Sequence, residues 1–380
     1  MTQFFQTRSW SSQAAMPDPI ALFLPSLKTG GAERVMVELA NHFSSLGYPV
    51  DLVLVEKKGD FLRDVSPAVH IVDLKSRRTL NALIPLISYL RRRRPAGLIS
   101  SMVHCNIVAL LARSLARVQT RILIRQENTM SRAARNAPTK RGRRIPWVAR
   151  RIYPKADAII AVSNGVAHDL SESLNIPRRR IRTVYNPCAI EKVVLSRKQP
   201  VDHRWFVPGA PPVIVSMGRL HPQKDYGTLL KAFRIVSADR EARLLIMGEG
   251  NERDRLTALA REVGISDSVS FPGSFTNPFP YLARAQVFVL SSRWEGHPLV
   301  LAEALACGIT IVSTDCPSGP QEVLEGGRYG ILVPMGDPEA IAQGIMKALD
   351  SPFPPELLMK RAEEFSVDII AREYLNLLFG

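Results

Sequence analysis

Two glutamates stand out in the segment SSRWEGHPLVLAEALACG, residues 291–308. Glu295 follows an apolar run typical of a buried strand, and Glu303 lies inside an apolar run typical of a core-facing helix. A carboxylate is rarely buried without a partner. Helical spacing separates the two groups along one cleft, so they do not suit the glycosidase pair whose carboxyls lie only ~5–5.5 Å apart. We therefore expect each carboxylate to bind hydroxyl groups of a ligand.

Two cations follow another predicted strand, in the sequence MGRLHPQKD. Arg219 and Lys224 lie where the chain leaves that strand. Loops at the carboxyl ends of parallel strands line the ligand crevice of an α/β sheet. A lone surface lysine or arginine is usually only solvated, but two cations in this position suit a diphosphate.

A pair of glycines, Gly30 and Gly31, lies between the first predicted strand and the first predicted helix, in SLKTGGAERV. Backbone N–H groups at such a helix start can approach a phosphate. The pattern is not G-x-G-x-x-G and no acid follows in the dinucleotide arrangement, which argues against a nicotinamide-dependent dehydrogenase. A tight structural turn explains the glycines at least as well.

Two further residues lie at predicted strand ends. His104 follows the strand in SSMVHCN, and Asn186 follows the strand in VYNPC. A histidine at a strand end can serve a site, although a lone histidine is as often structural. An asparagine before Pro187 is equally well explained by a turn.

Strands and helices alternate along nearly the whole chain. The 380 residues exceed what one core usually supports, and the strands are continuous apolar runs typical of a parallel sheet covered on both faces. We predict an α/β fold of two Rossmann-like, doubly wound domains facing a central cleft. The expected division is a disordered leader at 1–17, a first domain at 18–190, a linker at 191–212, a second domain at 213–360 and a helix at 361–380 that returns to the first domain.

Positive charge is concentrated in one part of the chain. The formal net charge is +15, and residues 74–156 hold twenty lysines and arginines against a single acid, Glu127. Such an asymmetry indicates a polyanionic partner for the first domain. A nucleic-acid-binding protein is a rival interpretation, but no helix-turn-helix, zinc-finger or RNP-type signature is present. The four cysteines have no metal-ligand spacing, and no zinc site is indicated.

The basic segment 131–155 holds nine cations and no acid. We expect a helix in which four apolar residues share one face with basic residues around it: Trp147, Val148, Ile152 and Tyr153. This arrangement suits an anionic membrane or a pyrophosphate-linked lipid, although an ordinary solvated helix is the alternative. The predicted acceptor or membrane contacts are Arg143, Arg144, Arg150, Arg151 and Trp147. Because the N-terminus lacks the apolar region of a signal peptide, we expect a cytoplasmic protein, peripheral at the inner membrane.

Four motifs occur in a characteristic order: GGAERVM, GRLHPQKD, the E-x7-E of WEGHPLVLAEALACG, and STDCPSGPQEVL. From Ile20 to its end the chain resembles the retaining glycosyltransferases of family 4, which have the GT-B fold. The resemblance implies a nucleotide-sugar donor bound mostly by the second domain and a glycan acceptor bound mostly by the first. The last motif resembles members that use UDP-linked hexoses or N-acetylhexosamines to build lipid-linked or surface polysaccharides, lipopolysaccharide included.

The resemblance also implies roles for individual residues. Glu303 would bind the donor ribose, Glu295 the transferred sugar, and the two cations the diphosphate. The resemblance implies chemistry without a metal or a cofactor, and the absence of a D-x-D motif from the sequence fits that expectation. Many members have an aromatic residue where this chain has His297. The implied donor-binding residues are Gly30, Gly31, Asn186, Arg219, Lys224, Glu295, Gly296, His297, Pro298, Leu299 and Glu303. The implied catalytic residues are Glu295, Arg219, Lys224 and His104. A nucleotide-sugar epimerase or hydrolase on the same fold is the nearest alternative.

Overall fold

The computed structural model describes residues 18–28, 30–135 and 139–380, and the expected leader, residues 1–17, lies outside them. The first domain is built on a seven-stranded parallel sheet with the order β3-β2-β1-β4-β5-β6-β7. Its strands are β1 (Ile20–Leu24), β2 (Val50–Leu54), β3 (His70–Asp73), β4 (Gly97–Ser101), β5 (Arg121–Gln126), β6 (Ala158–Ala161) and β7 (Ile181–Thr183).

Helices cover both faces of this sheet, with one apolar cluster on each side. They are α1 (Gly31–Ser45), α2 (Leu83–Arg93), α3 (Val103–Ala116), α4 (Met130–Arg135), α5 (Lys140–Ile152) and α6 (Asn164–Leu174). Two-sided burial explains why β1, β2 and β4 are buried along their whole length.

The second domain repeats the design with a six-stranded parallel sheet in the order β10-β9-β8-β11-β12-β13. Its strands are β8 (Val213–Met217), β9 (Arg243–Met247), β10 (Val269–Gly273), β11 (Val287–Leu290), β12 (Thr310–Thr314) and β13 (Ile331–Val333). The remaining helices are α7 (Ile190–Ser196), α8 (Tyr226–Asp239), α9 (Arg253–Glu262), α10 (Phe279–Arg284), α11 (Leu299–Cys307), α12 (Pro320–Val323), α13 (Pro338–Asp350), α14 (Pro355–Glu363) and α15 (Val367–Phe379). Two α/β domains of the predicted class are therefore present.

Two segments differ from their sequence-based description. The stretch described as a linker contains α7, and Val193 and Trp205 are buried in the second domain's core, because their apolar side chains reach that core despite the surrounding prolines and charges. The last helix begins at Val367 and not at 361, because residues 361–363 end α14. Through Ile370 and Tyr374, α15 packs in the core of the first domain.

The strand order of each sheet reverses between its first and fourth strands, β1 and β4 in one domain and β8 and β11 in the other. At such a point the connections leave to opposite faces, and a crevice opens at the carboxyl ends of the strands. None of the helices in the described ranges is long and apolar enough to cross a membrane.

Candidate functional site

A cleft of about 1420 Å³ lies between the two domains. Its walls include the start of α1, the loops after β4 and β5, and the loops after β8, β9 and β11. Every residue predicted to bind the donor lines it: Gly30, Gly31, Asn186, Arg219, Lys224, Glu295, Gly296, His297, Pro298, Leu299 and Glu303. His104 lines it too. The structure thus brings together residues from opposite ends of the chain.

Glu295 is the centre of a buried polar cluster in the loop after β11. Its Oε1 lies 2.6 Å from Lys224 Nζ and accepts a hydrogen bond of 2.6 Å from Ser292 Oγ. The Glu295 and Lys224 side chains are only 8% and 13% exposed, so the ion pair is screened little by water. Both groups keep hydrogen-bonding capacity for a ligand, because the ammonium has three donors and the carboxylate has a second oxygen.

Glu303, on α11, is the second carboxylate of the E-x7-E pair and has a different partner. Its Oε1 lies 2.5 Å from Nη1 of Arg34, a residue of α1 in the other domain. Burial raises the pKa of Glu303, and the Arg34 guanidinium opposes that rise. Glu295 and Glu303 therefore belong to separate ion pairs and do not form a close carboxylate pair, as their spacing in the sequence predicts.

The phosphate-binding candidates lie on facing walls of the cleft. Arg219 is exposed in the loop after β8. Gly30 precedes α1 in an extended conformation, and no side chain caps the first helical turn. A Cβ at Gly30 would overlap the carboxylate of Glu33, which burial gives a raised pKa. The start of α1 therefore presents backbone N–H groups next to the carboxylate of Glu33, and the exposed Arg219 lies on the opposite wall of the cleft.

The loop from Gly296 to Pro298 holds the two domains in contact. A Cβ at Gly296 would overlap the carbonyl oxygen of Glu127, which belongs to the loop after β5. The carbonyl of His297 accepts a hydrogen bond of 2.8 Å from Nδ2 of Asn186. Asn186 therefore contacts the loop after β11 through its side chain, which its turn-forming position in the sequence does not reveal.

The ring of His297 fills space between the domains. It stacks on Tyr185 with ring centroids 5.0 Å apart and meets Phe365 edge-on at 5.2 Å. Neither ring nitrogen has a hydrogen-bond partner in the part of the chain that the structure describes. Burial, helped by the positive charge of Arg125, lowers the pKa of His297 to about 3, so the ring is neutral. These contacts favour a packing role for His297.

A further carboxylate, Glu127, lines the cleft and was not assigned a role from the sequence. Its Oε1 accepts hydrogen bonds from Met102 N at 3.2 Å, from Arg125 Nη1 at 3.2 Å and from the hydroxyl of Ser101. Exposed His104, in the first turn of α3, lies next to this cluster in sequence and on the same cleft wall. The sequence did contain one indication of a role for Glu127, because it is the single acid of residues 74–156.

Besides Glu303, a second carboxylate of the second domain, Glu322 in the motif STDCPSGPQEVL, bonds the first domain. Glu322 accepts backbone N–H bonds from Asn164 at 2.8 Å and Gly165 at 3.1 Å, and a hydroxyl bond from Tyr185 at 3.1 Å. It thereby caps the start of α6 in the other domain, where the helix dipole favours a negative charge.

The basic helix α5 differs in part from its prediction. Arg143, Arg144, Arg150 and Arg151 are exposed, and Trp147 is 61% exposed with the Arg151 guanidinium 3.7 Å from its ring centroid. The expected common apolar face is wrong, because Tyr153 is fully buried and its hydroxyl bonds Gln126. These five predicted contact residues lie outside the cleft lining, whereas Ile145 and Pro146 of the same helix belong to it.

Two Rossmann-like domains with parallel sheets, closing on a cleft at the strand ends, define the GT-B class of glycosyltransferases. The family model described as Glycosyltransferase Family 4 matches residues 29–192, and the model described as Glycosyl transferases group 1 matches residues 199–365. The chain belongs to the family 4 glycosyltransferases, and it is an enzyme.

Similar proteins match over most of their length. One is the N-acetylgalactosamine-N,N'-diacetylbacillosaminyl-diphospho-undecaprenol 4-alpha-N-acetylgalactosaminyltransferase of Campylobacter jejuni, 28% identical over 95% of this chain and 99% of that one. Another is the lipopolysaccharide core biosynthesis glycosyltransferase LpsE of Rhizobium meliloti, 28% identical over 92% and 96%. Anabaena HepE, solved in complex with UDP, shares the fold with a TM-score of 0.75 at 17% identity, over 95% of this chain and 99% of that one.

The close approach at Gly296 leads to a prediction for domain closure. In Gly296→Ala the added Cβ meets the Glu127 carbonyl, so the domains must move apart, and we expect kcat/KM to fall roughly ten-fold or more. Gly227→Ala on α8 is the matched control, because its Cβ would lie 3.6 Å from the nearest atom. Initial rates and small-angle scattering with bound nucleotide test this. An unchanged rate and radius of gyration for Gly296→Ala contradict it.

Proposed function

We propose that this glycosyltransferase moves a hexose or N-acetylhexosamine from a UDP-sugar to a lipid-linked glycan, with retention at the anomeric carbon and without a metal. The Glu295–Lys224 ion pair beside Glu303, in one cleft between two Rossmann-like domains, is the observation that carries the proposal. The names of the two similar enzymes support a lipid-linked glycan as the acceptor, since one contains diphospho-undecaprenol and the other lipopolysaccharide. The UDP bound in the HepE structure supports UDP as the nucleotide of the donor.

The donor would extend along the cleft from Glu303 to Glu295. The carboxylate of Glu303 accepts the ribose hydroxyls, and that of Glu295 accepts hydroxyls of the transferred sugar. Lys224 donates one N–H to Glu295 and directs the others at the diphosphate, where Arg219 joins it from the exposed loop. These cations act most strongly on the leaving diphosphate, which gains negative charge in the transition state.

Retention follows if acceptor and leaving group share one face of the sugar. The bond from the anomeric carbon to the phosphate oxygen breaks, and a bond to the acceptor oxygen forms on the same side. The proton of the acceptor hydroxyl passes to the departing phosphate oxygen, and the nucleoside diphosphate leaves. No protein base is assigned, and the cations balance the charge on the phosphate. His104 lies on the cleft wall of the first domain, where we place the sugar of the donor.

The donor site yields a prediction for single variants. Glu303→Ala and Lys224→Ala should each lower transfer by roughly 10²–10³, because each removes a partner of the donor or of the developing charge. Glu295→Gln should lower kcat more than it lowers the affinity for UDP, since its ligand is the sugar. Radiolabelled transfer and calorimetric titration of UDP measure the two effects.

Lys231→Ala and Glu363→Ala, exposed positions outside the cleft lining, serve as controls and should retain wild-type rates. Near wild-type transfer by Lys224→Ala or Glu303→Ala contradicts the assignment. Release of UDP and free sugar, with no new glycoside, identifies a hydrolase instead.

Metal independence is a separate prediction. Because Arg219 and Lys224 supply fixed positive charge at the diphosphate, initial rates in EDTA should equal those with added Mg²⁺ or Mn²⁺. Turnover that stops in EDTA and returns with either ion overturns this part of the proposal.

We also propose that the enzyme binds the cytoplasmic face of the inner membrane as a peripheral protein. Four exposed arginines and exposed Trp147 on α5 support this. On the same domain, Leu80, in the turn before α2, and Ile84, in the first turn of α2, are 69% and 76% exposed, which gives this domain apolar surface for contact with lipid. Both helices pack against α3, and the block 74–156 contains no acid except Glu127.

Membrane binding should depend on both charge and apolar contact. Co-sedimentation with vesicles should rise with anionic lipid and fall with salt, because each Lys or Arg near the surface contributes ~1 kcal/mol and salt screens it within ~8 Å. Replacing Arg143, Arg144, Arg150 and Arg151 by Glu should release the protein while UDP still raises its melting temperature. The matched control reverses four exposed cations of the second domain, Lys231, Arg234, Arg261 and Lys360. If the control variant loses vesicle binding to the same extent, or if wild type does not bind anionic vesicles, then α5 is not a membrane-binding surface.

A further inference from the structure

The ion pair between Arg34 and Glu303 connects the two domains at the donor cleft. Arg34 belongs to the first turn of α1, and Glu303 belongs to α11 on the opposite side. Their side chains are 26% and 3% exposed, and Nη1 lies 2.5 Å from Oε1. Both side chains line the main cleft and also a second cavity of about 10 Å³. The guanidinium and the carboxylate thus join the two walls of the cleft.

We propose that Arg34 is a positioning residue of the donor site, which holds the Glu303 carboxylate where it receives the ribose hydroxyls. The inference rests on the proposed function, in which Glu303 binds the ribose. It adds that the first domain supplies the charge partner of the carboxylate that binds the nucleoside end of the donor. Arg34 occupies one oxygen of the carboxylate and leaves Oε2 and the remaining lone pair of Oε1 for the donor.

The surroundings of Glu303 make Arg34 its charge partner. The titratable groups that act on it come from α1, α7, α11 and the loop before α7: Arg34, Glu38, Lys192, Cys307 and Cys188. Burial raises the pKa of both thiols, so they are neutral. Lys192 is 53% exposed and lies 3.9 Å from Glu38, so its charge is directed mainly at that acid. Within the described ranges, Arg34 is the cation in ion-pair contact with Glu303.

Removing this cation has a specific consequence. Burial already raises the pKa of Glu303, and a buried carboxylate without a partner takes up a proton in preference to keeping its charge. A protonated carboxyl loses acceptor capacity, because one oxygen becomes a donor. Without Arg34 the neutral form therefore extends to higher pH. Nucleotide affinity should then be weak at low pH and recover as the pH rises through the pKa of Glu303.

A purely structural role predicts a different result. The Arg34 guanidinium also lies 5.6 Å from the ring centroid of Phe279, on α10 of the second domain. It could therefore act only as a tether between domains, through its ion pair and this cation–π contact. Loss of a tether weakens nucleotide binding by the same factor at every pH, whereas loss of a positioning cation weakens it most at low pH.

The experiment measures the dissociation constant of a nucleoside diphosphate between pH 6 and pH 9. A thermal-shift panel of UDP, GDP, ADP and CDP selects the probe, and calorimetry follows on wild type, Arg34→Met, Arg34→Lys and the matched control Lys192→Met. We expect the dissociation constant of Arg34→Met to exceed that of wild type more than ten-fold at pH 6. This ratio should decrease as the pH rises, by up to ten-fold per pH unit. Arg34→Lys should restore most of the affinity, and Lys192→Met should show no such trend.

The double variant Arg34→Met/Glu303→Gln identifies the titrating group. It removes both charges and needs no buried ion pair, so it should fold even if Arg34→Met does not, and its affinity relative to wild type should not vary with pH. A ratio for Arg34→Met that is constant with pH, or equal to one, overturns the proposal. If the proposed function itself is wrong, wild type binds none of the four nucleotides, or Glu303→Gln binds them as tightly as wild type.

Discussion

A carboxylate taken out of water needs a partner, and this requirement organises the interface between the two domains. Glu303 is paired with Arg34, and Glu322 accepts N–H groups from the start of α6. In both cases the acid belongs to the second domain and its partner to the first. Breaking one partner away leaves an uncompensated charge, which costs several kcal/mol when fully buried. Opening the cleft must therefore expose these acids to water or to a ligand.

Glu295 follows the same rule within a single domain. Its partners, Lys224 and Ser292, come from the second domain, so this pair does not depend on closure. The two glutamates of one motif are thus held differently, one by its own domain and one across the cleft. A ligand between them would be held by a rigid site at its sugar end and by a closure-dependent site at its nucleoside end.

The close backbone approach at Gly296 depends on these pairs. The loop after β11 reaches the Glu127 carbonyl, and Asn186 bonds the His297 carbonyl beside it. Only a residue without a Cβ permits this distance. The two domains also differ in charge, because residues 74–156, which contain a single acid, all belong to the first domain. The same chain combines an interdomain cleft that holds buried carboxylates with a first domain rich in exposed cations.

The sequence alone determined the fold class, most of the strands and helices, and a set of motif residues that line the cleft. The apolar runs of β1, β6 and β11 are buried along their whole length, because a strand covered on both faces of a sheet needs apolar residues at every position. The motif residues predicted for the donor all line the cleft, since the carboxyl ends of parallel strands meet at one edge. α7 was missed because seven residues among prolines and charges are too few for a helical period.

Only the tertiary structure decided the partners of those residues. Arg34 was visible within GGAERVM, yet nothing local to it indicates Glu303, which lies in another domain. The ring of His297 and the hydroxyl of Tyr153 likewise take their surroundings from distant elements. Periodicity reports which face of an element is buried, because it depends on neighbours in sequence. The pairing of charges depends on which buried faces meet, and that is fixed only when the whole chain has folded.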